Sequence, residues 1–350
     1  MRILHVTDCY LPRLGGIEHH VSSLVAHQRA RGHDARVVTT TRAGTDADPD
    51  WVRRVDRAAE AFGEDRPDVV HAHLSVVSPF ATAVARRAGV PTLATVHSLW
   101  TGYGMLPRLA TAGLGDVTWS AVSDAAAEPL RQALRREVSV LPNAVDPELW
   151  RPLGTVRRPG DPVTVVSVMR MTRTKRTLPL ARMLRAARAA VPTEVPLRAV
   201  VVGNGPQRPS LERYLARHGM SDWVSLPGRL DARAVRRELA RADAFVAPAT
   251  RESFGIAALE ARAQGLPVVA SSRSGVTEFV RDGREGLLAA DDDEMVDAIA
   301  RLATEPLLRR RIRTHNTTVP LSHDWDAACT LAEALYLEAG ALNETWSVTA

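Results

Sequence analysis

Residues 244–271 read AFVAPATRESFGIAALEARAQGLPVVAS, and their pattern indicates the fold class of the protein. The apolar run that ends at Pro248 predicts a β-strand, and the spaced apolar residues up to about Gln264 predict a helix that Gly265 terminates. The apolar run at 267–271 predicts the next strand. A strand, a polar loop, a helix and a second strand in this order are typical of a parallel βαβ unit.

The same alternation continues outward from this segment. Further strands are predicted at 3–8, 35–40, 68–73, 92–98, 119–123 and 138–142, and then at 163–168, 197–202, 223–226 and 286–289. Segments between them, such as 17–31, 79–88 and 124–135, carry apolar residues at helical spacing. The pattern predicts an α/β fold with two Rossmann-like, doubly wound parallel sheets that face each other across a cleft at the carboxyl ends of their strands.

The length of 350 residues is enough for two domains. The pattern pauses in a segment rich in Pro, Gly and Arg, so we expect a first domain at 1–148, a linker at 149–161 and a second domain at 162–323. A further amphipathic helix at about 324–340 is expected to pack back on the first domain.

The composition excludes several classes of protein. With 45% hydrophobic and 24% charged residues, the chain is neither disordered nor collagen-like. Two cysteines, Cys9 and Cys329, are too few for a disulfide framework or a metal cluster. No apolar run is long enough for a transmembrane helix, and the first residues, MRILHVTDCY, lack the apolar stretch of a signal peptide. We therefore expect a cytoplasmic protein.

The charge is unevenly distributed. Residues 1–150 hold 16 Arg and 17 acidic residues, a net charge of −1, whereas residues 151–350 carry +6, with 29 basic and 23 acidic residues. The second half is therefore expected to bind an anionic ligand. No basic tract interleaved with aromatic residues is present, which argues against a nucleic-acid partner. The chain has 44 arginines and a single lysine, Lys175.

Two acidic residues follow the strand that ends at Pro248. Glu252 comes just before the predicted helix, where the backbone N–H groups of Ser253, Gly255 and Ile256 are free to meet ligand oxygens. Glu260 lies about two turns further along and can accept hydrogen bonds from neighbouring hydroxyl groups. The structural alternative is that Glu252 caps the helix and Glu260 is a surface acid.

Arg170 and Lys175 follow the strand at 163–168. A guanidinium fork and a compact ammonium group at one strand edge suit a diphosphate. The alternative is two solvated bases in a loop. Since the only lysine of the chain stands at this position, we favour a functional site.

These motifs, in this order and spacing, resemble the retaining glycosyltransferases of family 4, which have the GT-B fold. The resemblance spans nearly the whole chain. Its glutamate pair is matched by Glu252 and Glu260, and its arginine–lysine pair by Arg170 and Lys175. The remaining matches are Gly15-Gly16, Leu141-Pro142-Asn143-Ala144-Val145-Asp146, the strand-to-glycine turn Val200-Val201-Val202-Gly203-Asn204-Gly205-Pro206, and Gly275-Val276-Thr277-Glu278. Two positions depart from the family pattern, because Arg176 and Ala144 stand where glycine is common.

The resemblance implies a role for each residue. Arg170 and Lys175 would hold the donor diphosphate, and Glu260 the ribose. Glu252 would contact the sugar, and His97 would contact it from the first domain. The other implied donor-binding residues are Gly16, Gly203, Ser253, Phe254, Gly255 and Ile256. His97, Glu252, Arg170 and Lys175 are the implied catalytic residues.

The resemblance also implies the reaction. A hexosyl unit would pass with retention from a nucleotide sugar to a hydroxyl acceptor in a cell-envelope glycan, a glycolipid or a small-molecule glycoside. A UDP-sugar is the favoured donor, and GDP-mannose is the next candidate. The acceptor is expected to be lipid-linked or to contain inositol, and the protein to contact the inner face of a membrane peripherally. Neither a metal nor a cofactor is expected, and Asp291-Asp292-Asp293 is interpreted as a capping run.

Three alternative functions are considered. A dinucleotide-dependent oxidoreductase would need a third glycine after Gly203 and Gly205, but Arg208 stands at that position. A nucleotide-sugar epimerase would share the fold, and a non-catalytic module would bind the nucleotide sugar without turnover. His71 and His73 also end a strand, and for them we favour a structural role.

Overall fold

The computed structural model describes residues 1–13, 15–45, 47–63, 66–100, 114–154 and 160–347. The chain forms two compact units. Unit 1 comprises Met1–Ala144 and His323–Ala350, and unit 2 comprises Val145–Ser322. Among the described residues, no helix has both the length and the apolar character needed to span a bilayer.

Unit 1 is built on a seven-stranded sheet in which every pair of neighbouring strands is parallel. Its strands are β1 (Arg2–Thr7), β2 (Asp34–Thr39), β3 (Val52–Arg54), β4 (Val69–Leu74), β5 (Thr92–Val96), β6 (Thr118–Ala121) and β7 (Ser139–Val140). They are ordered β3-β2-β1-β4-β5-β6-β7. The described helices of this unit are α1 (Gly16–Ala30), α2 (Pro79–Ala85), α3 (Asp124–Leu134) and the C-terminal helix, which is designated α10 (Trp325–Ser347).

The C-terminal helix contributes to the core of unit 1. Ala332, Leu335 and Tyr336 of α10 pack with Val21 and Val25 of α1 and with buried residues of the sheet. Burial of these apolar side chains stabilises the fold by about 1.5–3 kcal/mol for each large one. The end of the chain is thereby attached to the unit that its beginning forms.

Unit 2 contains a six-stranded parallel sheet. Its strands are β8 (Val163–Val168), β9 (Leu197–Val202), β10 (Val224–Gly228), β11 (Ala244–Ala247), β12 (Val268–Ser271) and β13 (Gly286–Ala289), in the order β10-β9-β8-β11-β12-β13. The described helices between and after them are α4 (Thr177–Ala190), α5 (Arg208–Arg217), α6 (Ala232–Ala240), α7 (Ile256–Ala263), α8 (Asp292–Thr304) and α9 (Pro306–Thr318).

The α/β class and the two parallel sheets predicted from the sequence are confirmed. Strand β3 was not predicted, because its three residues, Val-Arg-Arg, form too short and too charged a run to give an apolar signal. The predicted linker at 149–161 begins within residues that the structure assigns to unit 2. There the side-chain amide of Gln264 donates hydrogen bonds to the carbonyl oxygens of Trp150 (2.8 Å) and Arg151 (2.6 Å).

Candidate active site

The sheet order of unit 2 fixes where a ligand can bind. Strand β8 lies between β9 and β11, so the chain leaves β8 towards one side of the sheet and later crosses to the other side. At such a switch point the loops that follow the two central strands diverge and leave space at the carboxyl edge. The loop after β8 carries Arg170 and Lys175, and the loop after β11 carries Glu252.

The structure brings Lys175 and Glu252 together. The ammonium nitrogen of Lys175 lies 2.5 Å from Oε2 of Glu252, and the two side chains are 37% and 17% exposed. Arg170 is exposed, and its guanidinium has no hydrogen-bond or ion-pair partner among the described residues. The predicted arginine–lysine pair is thus divided between one paired and one unpaired cation.

Glycine at 203 lets the loop after β9 approach the loop after β8 closely. A Cβ at Gly203 would overlap the carbonyl oxygen of Met169, and the residue has φ +127°. The backbone N–H of Met171 also donates to the carbonyl oxygen of Asn204 at 2.9 Å. The close packing of these backbones requires glycine at position 203, and its contact with the donor stays a prediction.

The loop of Glu252 is held by the loop after β12. The N–H of Gly275 donates to the carbonyl oxygen of Glu252 at 2.8 Å, and a Cβ at Gly275 would overlap the carbonyl oxygen of Ser253. Helix α7 starts immediately after Gly255. In the described part of the chain, the N–H groups of Gly255 and Ile256 donate to no acceptor.

Neither structural alternative for the two glutamates agrees with the geometry. The side chain of Glu252 makes no capping hydrogen bond to α7 and faces Lys175 instead. Glu260 is half-buried, and desolvation raises the pKa of its carboxyl group to about 8. The side chain of Phe254 lies in the core beside Phe279, with ring centroids 5.2 Å apart, so its predicted donor contact does not involve the ring.

Arg176, which departs from the family pattern, has a left-handed backbone with φ +56°. Glycine adopts this conformation without strain, which explains why it is common there. The arginine compensates through its side chain, which forms two hydrogen bonds of 2.7 Å to the carboxylate of Asp292. The predicted capping role of the acidic run is confirmed for Asp291, whose side chain accepts a hydrogen bond from the N–H of Glu294.

In unit 1, the predicted residue Gly16 is the first residue of α1. The carboxylate of Glu18 lies over this helix end, since its Oε2 would be 2.5 Å from a Cβ at Gly15. Glu18 is almost fully buried and forms an ion pair of 3.2 Å with Arg13. An acid in the first turn of a helix is favoured by the helix dipole. The role of Gly16 towards a ligand stays a prediction.

His97 lies just beyond β5 and is 7% exposed. It is one end of a continuous series of hydrogen-bonded side chains, which we call the histidine chain. In order, its members are His97, His73, His5, Gln28, Tyr336, His71, Thr95 and Ser120. The links measure 2.7–3.0 Å, and all eight side chains are buried.

Burial keeps these histidines neutral. Desolvation lowers the pKa of His5 to about 4 and that of His97 to about 3. The pKa values of His71 and His73 are also well below the usual value, because of desolvation and of the neighbouring imidazoles. The structural role predicted for His71 and His73 agrees with these contacts.

Two groups of three imidazoles lie close enough to share a cation. They are His5, His71 and His73, and His20, His73 and His97, with ring nitrogens within 4.8 Å of one another. His20 is 1% exposed, and neither of its ring nitrogens makes a hydrogen bond to the described residues. A cation at the second group would have to replace one of the two 3.0 Å hydrogen bonds of His73, to His5 or to His97.

Sequence reasoning missed His5, His20, Gln28 and Tyr336. One signal was available, because eight of the 11 histidines lie within the first 97 residues. That excess indicates a cluster in the first domain. It does not identify Gln28 or Tyr336 as partners. Their contacts with the histidines join helices α1 and α10 to the sheet, and such contacts are not visible in the sequence.

The comparisons with known proteins agree with this geometry. A family model described as glycosyl transferases group 1 matches residues 162–305, and one described as glycosyltransferase family 4 matches residues 14–149. Glycogen synthase of Mycobacterium tuberculosis is 28% identical over 97% of this chain and 95% of that protein. The D-inositol 3-phosphate glycosyltransferase of Nocardiopsis dassonvillei is 30% identical over 80% of this chain and 75% of that protein.

Among solved structures, Anabaena HepE in complex with UDP and glucose superimposes with a TM-score of 0.75 and 19% identity, over 96% of this chain and 99% of that one. This similarity establishes the fold, and the sequence relatives establish the activity. The epimerase and non-catalytic alternatives are not favoured by any of these relatives. The chain therefore belongs to the glycosyltransferases of the GT-B fold, and it transfers a hexosyl unit from a nucleotide-sugar donor to a hydroxyl acceptor.

Proposed function

We propose that this glycosyltransferase is a retaining, metal-independent enzyme that uses a UDP-sugar and glycosylates an inositol-containing acceptor. The observation that carries the donor site is the Lys175–Glu252 ion pair at the switch point of unit 2, with Arg170 unpaired on the same strand end. A cation held by a carboxylate at a ligand-binding edge can exchange that carboxylate for a phosphate oxygen.

The diphosphate binds through two different cations. The guanidinium of Arg170 offers a planar fork, and the ammonium group of Lys175 offers a compact charge. When the diphosphate approaches, Lys175 exchanges its 2.5 Å contact with Glu252 for a contact with phosphate. The N–H groups of Gly255 and Ile256 lie at the positive end of α7 and stabilise negative charge that develops on the leaving diphosphate.

The two glutamates then act on different parts of the donor. Glu252, released from Lys175, accepts hydrogen bonds from sugar hydroxyls. Glu260 accepts hydrogen bonds from the ribose diol. Its pKa of about 8 reflects the burial that a ribose subsite requires, and the diol hydrogen bonds stabilise the ionised form.

Retention follows from the resemblance to family 4. The bond between the anomeric carbon and the diphosphate oxygen breaks, and the acceptor oxygen forms a bond to the same face of the sugar. The leaving phosphate oxygen takes the acceptor proton, so no protein base is assigned. Arg170 and Lys175 stabilise the charge left on the diphosphate, which is the task that a divalent cation has in other transferases.

Support for the donor and the acceptor comes from the relatives. The Nocardiopsis relative is named for D-inositol 3-phosphate, and Anabaena HepE was solved with UDP. The negative net charge of residues 1–150 gives no general attraction to anionic membranes. We therefore favour a soluble inositol phosphate over phosphatidylinositol, with peripheral membrane contact as the alternative.

The decisive experiment combines product analysis with a split of the kinetic constants. UDP-glucose, UDP-N-acetylglucosamine and GDP-mannose are each incubated with inositol 3-phosphate or with phosphatidylinositol vesicles. NMR of the product should show the anomeric configuration of the donor, and EDTA should leave the rate unchanged. Inversion of configuration, or a strict requirement for Mg²⁺ or Mn²⁺, would contradict the proposal.

The same assay separates the roles of the two glutamates. Glu252→Gln should lower kcat more than it raises KM, because contacts to the sugar strengthen as charge develops. Glu260→Gln should mainly raise KM, because the ribose contact is the same in the ground and transition states. Unchanged kcat in Glu252→Gln would show that the assignment of its role is wrong.

A further inference from the structure

The histidine chain carries directional information, because each neutral imidazole has one N–H and one lone pair. The direction of its hydrogen bonds is set by Gln28, the only carboxamide among the eight members of the histidine chain. The Oε1 of Gln28 lies 2.7 Å from Nε2 of His5, and its Nε2 donates to the hydroxyl of Tyr336 at 3.0 Å. A carboxamide oxygen only accepts hydrogen bonds, so His5 must carry its proton on Nε2.

The arm towards His97 then follows link by link. The Nδ1 of His5 is a lone pair and lies 3.0 Å from Nε2 of His73, which must donate to it. The Nδ1 of His73 is therefore a lone pair as well, and it lies 3.0 Å from Nε2 of His97. His97 must donate from Nε2. The remaining nitrogen of His97, Nδ1, is a hydrogen-bond acceptor.

The other arm supports the same orientation. Since Tyr336 accepts from Gln28, its own proton goes to Nδ1 of His71 at 2.8 Å. His71 then donates from Nε2 to the hydroxyl of Thr95 at 2.7 Å, and Thr95 donates to Ser120 at 2.7 Å. All four histidines of the histidine chain therefore carry the proton on Nε2. The opposite orientation of Gln28 would place all four protons on Nδ1.

We propose that Gln28 is a positioning residue that fixes the tautomer of His97 through His5 and His73, so that His97 presents Nδ1 to the substrate as a hydrogen-bond acceptor. The inference rests on the proposed function and on the substrate contact that the resemblance to family 4 implies for His97. No hydrogen bond to Nδ1 of His97 is made by the residues that the structure describes. An acceptor at this position selects a substrate hydroxyl and rejects a fluorine or methoxy group, because two lone pairs would then face each other.

A competing use of the same residues is a cation shared by His20, His73 and His97. His73 could bind such a cation only by giving up one of its two 3.0 Å hydrogen bonds, to His5 or to His97, and the order of protons along this arm would change with it. Addition of Zn²⁺ to the metal-free protein distinguishes the two. The tautomer proposal expects unchanged imidazole spectra at one equivalent of Zn²⁺, and Zn²⁺-induced loss of the His97 Nε2 proton would overturn it.

The direct test is a long-range ¹H–¹⁵N spectrum of the full chain labelled with ¹⁵N-histidine, at about pH 7.5. The expected result is the Nε2–H tautomer for His5, His71, His73 and His97, each assigned from the spectrum of a single His→Gln variant. His27 is an internal control of opposite sign, because its Nδ1 lies 2.8 Å from the carbonyl oxygen of Ser23 and must carry the proton. A proton on Nδ1 of His97 would overturn the proposal, whatever the enzymatic activity.

Kinetics then test the link to Gln28. Gln28→Leu removes the acceptor and should lower kcat/KM by about tenfold, the effect of one lost hydrogen bond. Gln28→Glu retains an acceptor for His5 and should recover most of the loss. A role in packing alone predicts the reverse order, because a buried carboxylate destabilises the fold more than leucine does.

The matched control is His27→Gln, one position earlier on α1 and outside the histidine chain. It should leave kcat/KM and the His97 tautomer unchanged. Equal rates for Gln28→Leu and the parent would overturn the proposal, and so would equal losses in Gln28→Leu and Gln28→Glu. If no glycosyl transfer is found at all, the proposed function fails, while the spectrum still decides the tautomer.

Discussion

The two units have similar parallel sheets but differ in the burial and charge of their polar side chains. In unit 1, His5, His73 and His97 are neutral, buried and hydrogen-bonded to one another. In unit 2, Lys175 and Arg170 are charged and partly or fully exposed. A buried network of neutral groups fixes orientation, whereas charges near solvent can exchange partners. On the proposed function, unit 1 would orient the substrate and unit 2 would compensate the charge of the diphosphate.

The physical reason is the cost of desolvation. Burial of an unpaired charge is much more costly than burial of a hydrogen-bonded neutral group. Unit 1 avoids this cost by keeping its imidazoles unprotonated. Unit 2 avoids it by pairing Lys175 with Glu252 and by leaving Arg170 in solvent. The stability of unit 1 should therefore depend on pH, and the ion pair of unit 2 should respond to a ligand.

Acid should destabilise unit 1 more strongly than any of the substitutions below changes the protein. The folded pKa values of His5 and His97, about 4 and about 3, lie below the unfolded value of 6.5. The unfolded chain therefore binds more protons, so stability present above pH 6.5 is lost as the pH falls towards these values. We expect the free energy of unfolding to fall by about 1.4 kcal/mol per pH unit for each buried histidine below about pH 6.

Urea unfolding followed by circular dichroism between about pH 7.5 and pH 5 measures this slope. His71→Gln should reduce this slope by the contribution of one buried histidine. A free energy of unfolding that is flat across this range would show that the histidines of unit 1 are not kept neutral by the fold.

The next effect concerns the exchangeable ion pair of unit 2. Lys175→Met should weaken binding of UDP by about 1.5–3 kcal/mol, because a charge-assisted contact is lost and Glu252 is left beside the phosphates. The comparison is with Arg173→Met, a change of an exposed base in the same loop, which should have little effect. Isothermal titration calorimetry of both variants is the measurement, and equal affinities would refute the donor site.

Glu260 breaks the contrast between the units, because it is a carboxyl group in unit 2 that burial shifts as strongly as the histidines of unit 1. Its folded pKa of about 8 lies above the unfolded value of 4.5. The stability that it contributes is therefore fully present below pH 4.5 and is lost as the pH rises through 8. Glu260→Gln removes this dependence, and we expect it to gain about 1–3 kcal/mol over the parent at pH 9 relative to pH 5.

Chemical unfolding at the two pH values tests this gain. The control is Glu194→Gln, an exposed acid in a turn of the same unit. The same gain in the control, or no gain in Glu260→Gln, would indicate that Glu260 is solvated in the folded protein. Saturation with UDP should reduce the gain, because the ribose diol stabilises the ionised carboxylate.

The two sites also differ in how far the sequence predicted them. Lys175 and Glu252 follow adjacent central strands, and the topology of a parallel sheet brings such loops to one edge. No comparable rule of sheet topology predicts which side chains form the histidine chain. Tyr336 and His71 lie 265 positions apart in sequence, and their contact depends on the seating of α10 against the sheet. A hydrogen bond of this kind depends on packing at ångström precision, which a pattern of residue types does not contain.

Both units contain an arginine with left-handed backbone, and substitution there should change the free energy of unfolding least. Arg135 ends α3 in unit 1 with φ +54°, and Arg176 precedes α4 in unit 2 with φ +56°. Left-handed backbone costs a residue with a Cβ about 1 kcal/mol. Glycine should therefore be more stable than alanine by about 1 kcal/mol at both positions, the reverse of the order in a helix interior.

Relative to the parent, the two positions should differ. Arg176→Gly also loses the paired hydrogen bonds to Asp292 and a 3.2 Å hydrogen bond to the carbonyl oxygen of Pro248. Together they are worth about 0.5–1 kcal/mol at a partly exposed site, so the net change should be close to zero. No side-chain hydrogen bond or ion pair of Arg135 is found among the described residues, so Arg135→Gly should gain about 0.5 kcal/mol or more. Urea unfolding of the four glycine and alanine variants gives these differences. If alanine matches glycine at Arg176, the left-handed backbone there is not strained, and the ion pair with Asp292 does not serve to compensate it.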